Sequence, residues 1–114
     1  MVDPPRSDEH ELAHRIQLGI ARRPRQAFGA YYEDRASCAL GAAYEGLYPL
    51  PGDVGPLRPK HLERLFDCLE YSIRRCPAGC KKRVPLAAII VHLNDDHHWS
   101  REQIAEWLDA TVTA

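Results

Sequence analysis

The amino-acid sequence predicts a mainly α-helical protein, a single domain over residues 1–114 with about five short helices and a short β-hairpin over residues 26–35. Apolar side chains recur at every third or fourth position in most segments, which is the period of a helix face. The 114 residues suffice for one hydrophobic core and not for two. With 45% hydrophobic and 27% charged residues, the chain belongs to the ordinary globular class and not to the disordered one.

The first helix is predicted over residues 8–21. Leu12, Ile16 and Ile20 follow one another at every fourth position and form one apolar face. Ser7, just before this segment, is a residue type that caps helix N-termini. One amphipathic helix therefore opens the fold.

Two short elements follow. Aromatic residues around a polar turn predict the hairpin over 26–35. A second helix is predicted from Cys38 to about Glu45, with Ser37 as its N-cap and Gly46 as its end. Its residues are mostly alanine and glycine, so a neighbouring element can approach it closely.

Residues 47–59 contain four prolines and two glycines, which predicts a loop. This loop separates an N-terminal part, residues 1–46, from a helical C-terminal half, residues 60–114. A third helix is predicted to begin at Pro59 and to end before Pro77. It is indicated by a stripe of apolar residues at helical spacing: Leu62, Leu65, Phe66, Leu69 and Ile73.

The chain ends in two further predicted helices. A nearly all-apolar helix runs from Pro85 to about Leu93 and is ended by polar residues 94–96. The last helix begins after Ser100, which forms a capping box with Gln103, and Trp99 and Ile104 match a hydrophobic staple. Its core face is predicted to hold Ile104, Trp107 and Leu108, and its water-facing side Glu102, Glu106 and Asp109.

Charge and hydropathy exclude several classes of protein. A net charge of −1 and a pI near 6.6 argue against a protein built mainly to coat nucleic acid or an acidic membrane. The longest apolar run, residues 86–91, is far shorter than the roughly 20 residues that span a bilayer. The first residues lack the features of a signal peptide. We therefore expect a cytoplasmic protein without a membrane partner.

The four cysteines do not form a disulfide pattern. Cys38 and Cys68 lie in apolar, helix-like stretches and are expected to be small core residues. Cys76 and Cys80 form a close pair, which in a reducing compartment indicates a metal or redox site.

Two histidines extend this pair into a metal-binding pattern. Cys76, Cys80, His92 and His97 have the spacing C-x3-C-x11-H-x4-H, and two thiolates with two imidazoles suit tetrahedral zinc. We predict one structural Zn²⁺ at these residues. We also predict that the C-terminal half is pinned by this ion, so that metal removal unfolds mainly the segment from Arg74 onward.

The spacing resembles that of C2H2 zinc fingers over about 22 residues. A DNA-reading finger needs a ββα unit with both histidines on one helix, whereas here Pro85 and residues 94–96 are expected to interrupt such a unit. DNA reading is therefore not transferred. His97 is preferred over His98 as the fourth ligand, because His98 adjoins the Trp99 staple.

Five cations surround the cysteines without an intervening acid: Arg74, Arg75, Lys81, Lys82 and Arg83. Such a cluster can bind nucleic acid or another acidic surface. Alternatively, residues 94–109, with five acids and one arginine, neutralise it. The second interpretation is favoured.

Other motifs are weaker. His61 and Glu63 together with the cysteines partly match the elements of zinc deaminases, but the cysteine spacing is one residue too long. His10 and His14 lie four residues apart and are expected on a solvated helix face. The Cys76 and Cys80 pair also lacks the spacing and βαβ context of a redox site.

Two segments, residues 37–46 and 92–108, resemble small bacterial and phage-encoded proteins to which no activity is attached. They read SCALGAAYEG and HLNDDHHWSREQIAEWL and cover about a quarter of the chain. The resemblance implies a compact bacterial protein and transfers no catalytic residue.

The leading functional hypothesis is a non-enzymatic zinc-binding protein that acts as a protein-interaction or regulatory module. No nucleophile with a base, no carboxylate pair and no phosphate-binding glycine loop is recognisable in the sequence. The alternative is a nucleic-acid-binding regulator that uses the basic residues 74–83. A zinc hydrolase or deaminase is the third hypothesis, and it requires one of the four ligands to be spare.

Overall fold

A computed structural model of the protein describes residues 8–55, 57–59 and 61–112, and it confirms the mainly α fold. The longer helices are α1 (Asp8–Arg22), α2 (Ala39–Leu47), α5 (Leu86–Asp95) and α6 (Arg101–Val112). Two single-turn helices, α3 (Leu62–Leu65) and α4 (Cys68–Tyr71), lie between them. The strands are β1 (Arg25–Gln26), β2 (Tyr32–Glu33), β3 (Ala36–Ser37), β4 (Ile73–Arg75) and β5 (Arg83–Pro85). The predicted cap Ser7 lies outside the described residues.

Helix α5 is a buried helix of the core. Its residues Leu86, Ile89, Ile90 and Leu93 are fully buried, as its apolar sequence predicts. It packs against α2, α4 and α6, and α1 in turn packs on α2 and α6 with Leu12 and Ile16 on its buried face. The core is therefore built from residues on both sides of the loop 47–59.

Helices α1 and α2 pack with their backbones in direct contact. A Cβ atom on Gly19 would lie 1.9 Å from the carbonyl oxygen of Ala42, and one on Gly46 would lie 2.0 Å from that of Arg15. The close approach predicted for α2 is confirmed. Gly46 does not end the helix, however, since α2 continues to Leu47 and the glycine provides space for α1.

We expect Gly19→Ala to lower the free energy of unfolding by about 1 to 3 kcal/mol, because the two helices must separate to admit the methyl group. Gly52→Ala is the matched control, since a Cβ there meets no heavy atom within 4 Å. Urea denaturation followed by circular dichroism measures both variants. Equal stability of Gly19→Ala and the wild type would contradict the described helix packing.

The first hairpin differs from the predicted one. Strands β2 and β3 pair antiparallel around the turn at Asp34, whose φ is 53°, so the hairpin covers residues 32–37 and not 26–35. Strand β1 pairs parallel with β3, and the sheet order is β1-β3-β2. The turn forms at Asp34 because aspartate tolerates the left-handed conformation.

The single helix predicted between Pro59 and Pro77 is wrong. Phe66 adopts an extended conformation that separates α3 from α4, and the chain then enters β4 at Ile73. The apolar stripe does bury Leu62, Phe66 and Leu69, but Ile73 is 50% exposed. Pairing of β4 with the distant strand β5 replaces the last helical turn, since tertiary contacts override helix propensity.

The helix caps are partly as predicted. The capping box of α6 is confirmed: the Ser100 amide donates to Gln103 Oε1 (2.9 Å), and the Gln103 amide donates to Ser100 Oγ (3.1 Å). Helix α2 is capped by Cys38, whose sulfur accepts the Gly41 amide, and not by Ser37. On α6, Asp109 does not simply face water, because its Oδ1 lies 2.8 Å from His10 Nδ1.

Within the residues described here, none of the helices combines the length and the apolar character that crossing a bilayer requires.

Candidate metal centre

The hairpin β4–β5 carries both cysteines of the predicted zinc pattern at its tip. Its strands pair antiparallel, with Arg74 opposite Val84, and the Cys76 amide donates to the Lys82 carbonyl at 2.8 Å. Between the cysteines Gly79 adopts a φ of +93°, a conformation that side-chain-bearing residues rarely reach. The turn therefore brings Cys80 back beside Cys76.

Helix α5 supplies the histidines. It begins directly after β5, and His92 lies in its last turn. The chain continues for one more loose turn, in which the His97 amide donates to the His92 carbonyl at 3.2 Å. This turn places His97 beside His92, although His97 lies beyond the helix end.

The donor atoms of Cys76, Cys80, His92 and His97 all lie within 4.8 Å of one another; we call these residues the Cys2His2 cluster. Cys80 Sγ is 3.2 Å from His92 Nε2, and the Nε2 atoms of His92 and His97 are 3.0 Å apart. Around a tetrahedral zinc ion, neighbouring ligand atoms lie about 3.3 to 3.8 Å apart, given the ordinary Zn–N and Zn–S distances. The cluster is therefore close enough to hold a metal ion.

Asp96 orients one of the imidazoles. Its Oδ2 atom lies 2.7 Å from His92 Nδ1, so the Nδ1–H donates to the carboxylate and Nε2 faces the cluster. This hydrogen bond raises the pKa of His92, with a smaller contribution from Cys80, and lowers the pKa of Asp96. A carboxylate in this position is the usual outer partner of a metal-bound histidine.

The surroundings of Cys80 favour its thiolate form. Its pKa falls to about 6, chiefly because of hydrogen bonds from His97, the Lys82 backbone amide and His92. The thiolate is the form of cysteine that binds metals. The sulfur therefore needs little further deprotonation at neutral pH.

His98 lies apart from the cluster, as the sequence-based preference for His97 anticipates. Its ring stacks on Phe28 with centroids 4.7 Å apart, and its backbone φ is +53°. The structure thus brings His97, and not its neighbour, to the fourth position.

A ββα unit, predicted to be absent, is present in β4, β5 and α5. Pro85 does not interrupt it, because this residue pairs with Ile73 at the end of β5 and directly precedes α5. Helix α5, with the sequence LAAIIVHLND, carries no lysine or arginine. The helix therefore offers no cationic side chain to the edges of bases.

The five basic residues divide into two groups. Arg74 faces α1, where its guanidinium lies 3.3 Å from Glu9. The remaining four are exposed: Arg75, Lys81, Lys82 and Arg83. Among the described residues, no acid of the segment 94–109 forms an ion pair with them, although Lys82 lowers the pKa of Asp96. The single arginine of that segment, Arg101, is buried.

The weaker candidates lie outside the cluster. His61 is exposed, and the side chain of Glu63 is outside the described part of the structure. All four cysteines are free, and Cys38 and Cys68 are buried core residues, as predicted. Of the N-terminal histidines, His14 is exposed.

Asn94 is a supporting residue that sequence patterns did not indicate. It is 1% exposed, and its Oδ1 accepts hydrogen bonds from Gln26 Nε2 (2.9 Å) and the Ala39 amide (3.1 Å). Its Nδ2 donates to the Ala27 carbonyl at 2.9 Å. The end of α5 that carries His92 is therefore attached to β1 and to the start of α2.

The chain was compared with known protein families, with curated proteins and with solved structures, and none of them matches it.

We expect Asp96→Asn to weaken metal affinity, measured with zinc by chelator competition, by about 10- to 100-fold. The neutral asparagine oxygen accepts the His92 Nδ1–H less strongly than the carboxylate does, so the ring is held less firmly in its orientation. Asp95→Asn is the matched control, because Asp95 Oδ1 accepts from the Gly29 amide (2.9 Å) and from Asn94 Nδ2 (2.8 Å) and not from the histidine. Equal affinities of the two variants would contradict the role given to Asp96.

Proposed function

We propose that the protein is a non-enzymatic zinc-binding module, in which one structural Zn²⁺ joins hairpin β4–β5 to the end of α5 and thereby displays the hairpin surface to a partner. The convergence of four donor atoms within 4.8 Å of one another carries this proposal. The hairpin and helix end that supply them are otherwise joined by few side-chain hydrogen bonds among the described residues.

The donor set favours zinc over other cations. Two thiolates and two neutral imidazoles offer sulfur and nitrogen, whereas Ca²⁺ and Mg²⁺ prefer oxygen ligands. The charges of two thiolates also balance those of a divalent ion.

A structural role is favoured over catalysis. Four protein donors complete a tetrahedral zinc shell, so no position remains for a reactive water. The hydrolase or deaminase hypothesis needs a spare ligand, and His61 does not belong to the cluster. The four free cysteines fit a reducing compartment, and we propose the cytoplasm.

Metal analysis and spectroscopy test this proposal. Protein purified under reducing conditions without chelator is expected to contain one zinc ion per chain. X-ray absorption of that sample is expected to show two sulfur and two nitrogen ligands. Protein without metal, even after zinc addition, would overturn the proposal; an oxygen ligand in place of one histidine would instead favour the hydrolase hypothesis.

A further inference from the structure

We propose that the outward face of hairpin β4–β5 binds the phosphodiester backbone of a nucleic acid. The inference names the partner class of the proposed zinc module and rests on it, because the ion is expected to hold this hairpin in place. The observations that carry it are the cross-strand register, the exposure and the charge of the hairpin residues.

The hairpin has two different faces. Side chains alternate along a strand, so Ile73 and Arg75 of β4 share a face with Arg83 and Pro85 of β5. All four are exposed. The opposite face holds Arg74 and Val84, which are partly buried. The first face is therefore turned to solvent.

Two arginines lie directly opposite each other on this face. Arg75 is the cross-strand partner of Arg83, and like charges at such a position destabilise a hairpin. Lys81, at the tip, adds a third exposed cation. Among the described residues, none of the three has a hydrogen-bonded or ion-paired acid. A bound anion would relieve this repulsion.

A phosphate chain fits this surface better than an isolated anion. Guanidinium groups bind phosphate oxygens through two parallel hydrogen bonds. Here the guanidiniums of Arg75 and Arg83 and the ammonium of Lys81 line one groove of about 430 Å³, together with Arg74, which also pairs with Glu9. Ile73, 50% exposed, also lines the groove. Tyr71, 74% exposed, lies two residues before it along the chain and offers an aromatic surface to bases or sugars. An acidic peptide would supply carboxylates for the cations but no bases or sugars for the apolar side chains.

Because α5 presents no cation, binding is expected to depend on phosphates and not on base sequence. Its affinity should therefore fall steeply with salt. For three or four phosphate contacts to a single strand, a rise from about 50 to 200 mM salt should weaken binding by roughly 20- to 50-fold.

Fluorescence anisotropy of the zinc-loaded protein with labelled 20-mers tests the proposal, with single-stranded DNA, single-stranded RNA and duplex DNA as separate arms. The test variant carries Arg75→Gln, Lys81→Gln and Arg83→Gln; Lys82 is retained because its charge acts on Asp96, the hydrogen-bond partner of His92. The control variant carries Arg25→Gln, Arg35→Gln and Arg64→Gln, which are exposed elsewhere and change the net charge equally.

We expect the test variant to lose at least about 20-fold in affinity at low salt and to flatten the salt slope by about two units. The control is expected to bind like the wild type. Because the Arg75–Arg83 repulsion is removed, the melting temperature of the test variant should be equal or higher, and its zinc content unchanged. If these arginines had only a structural role, the melting temperature of the test variant would instead be lower than that of the wild type.

Three results would overturn the proposal: no binding of any nucleic acid at low salt, equal losses in both variants, or binding of an acidic peptide in preference to every nucleic acid. Tighter binding of single strands than of duplex supports contact with Tyr71, and the reverse supports contact with phosphates alone. Protein that contains zinc but binds no nucleic acid refutes only this inference. Protein that takes up no zinc but binds nucleic acid through the same arginines refutes only the zinc module.

Discussion

Cys76→Ser is expected to weaken zinc binding by about 100- to 1,000-fold. Structural zinc contributes roughly 10 to 16 kcal/mol in zinc-finger peptides, and an equal share for each of four ligands is about 2.5 to 4 kcal/mol. Cys76 is the most buried member of the Cys2His2 cluster, so a water molecule is poorly placed to replace its sulfur. Competition with a colorimetric zinc chelator measures the loss.

The structural consequence should be local. Helices α5 and α6 contribute fully buried residues to the common core, including Leu93 and Ile104, and these contacts do not need the ion. Loss of zinc is therefore expected to release hairpin β4–β5 and the turn 96–98, a smaller region than the whole segment from Arg74 onward that sequence reasoning predicts. Hydrogen exchange should accelerate at the Cys76 amide, which donates to Lys82.

Cys68→Ala provides the control for this prediction. Cys68 is equally buried, at 4% exposure, but does not belong to the cluster. It should retain wild-type zinc affinity while losing a modest amount of stability. Wild-type zinc affinity in Cys76→Ser, or loss of protection in α1 and α2 on chelation, would contradict the local role of the ion.

The largest expected loss of stability comes from Glu45→Ala, which removes one partner of a buried ion pair. Glu45 and Arg23 are 2% and 4% exposed, and two hydrogen bonds of 2.7 and 3.1 Å join them. Arg23 also donates to the carbonyls of Pro51 and Gly52 at 2.7 Å. The pair thus connects the end of α1, helix α2 and the loop that follows.

We expect this substitution to lower the free energy of unfolding by about 3 to 5 kcal/mol, because it leaves a buried guanidinium without its carboxylate. Glu11→Ala is the control: Glu11 pairs with Arg15 at 2.8 Å on the partly exposed face of α1, where such a pair contributes less than about 1 kcal/mol. Chemical denaturation compares both variants with the wild type. A loss for Glu45→Ala no larger than that for Glu11→Ala would show that the pair is dispensable.

Several parts of the molecule follow from the sequence by itself. The fourfold repeat in α1, the apolar run in α5 and the Ser100–Gln103 capping box are signals that act within one or two helical turns. The structure has α1, α5 and α6 where these signals place them. The donors of the metal cluster were also identified, because residue chemistry and spacing are sequence properties, and the structure brings all four together.

Other features depend on residues that are distant along the chain. The apolar stripe ending at Ile73 has helical spacing, but residues 73–75 form strand β4 because they pair with residues 83–85. The Arg23–Glu45 pair spans 22 residues, and Asn94 contacts groups 55 to 68 residues away. No local pattern marks such contacts.

Asp96 is an intermediate case. Its i, i+4 spacing from His92 is visible in the sequence, where residues 94–96 predict a helix end, but its hydrogen bond to His92 is shown only by the structure. Which face of the hairpin carries unpaired cations was likewise undetermined by sequence, because both strands and their register had to be known. The sequence by itself indicates which side chains can bind a metal and where α1, α5 and α6 lie. Only the tertiary structure decided how the hairpin is oriented and which charges are buried, because burial and strand register are set by contacts between segments far apart in the chain.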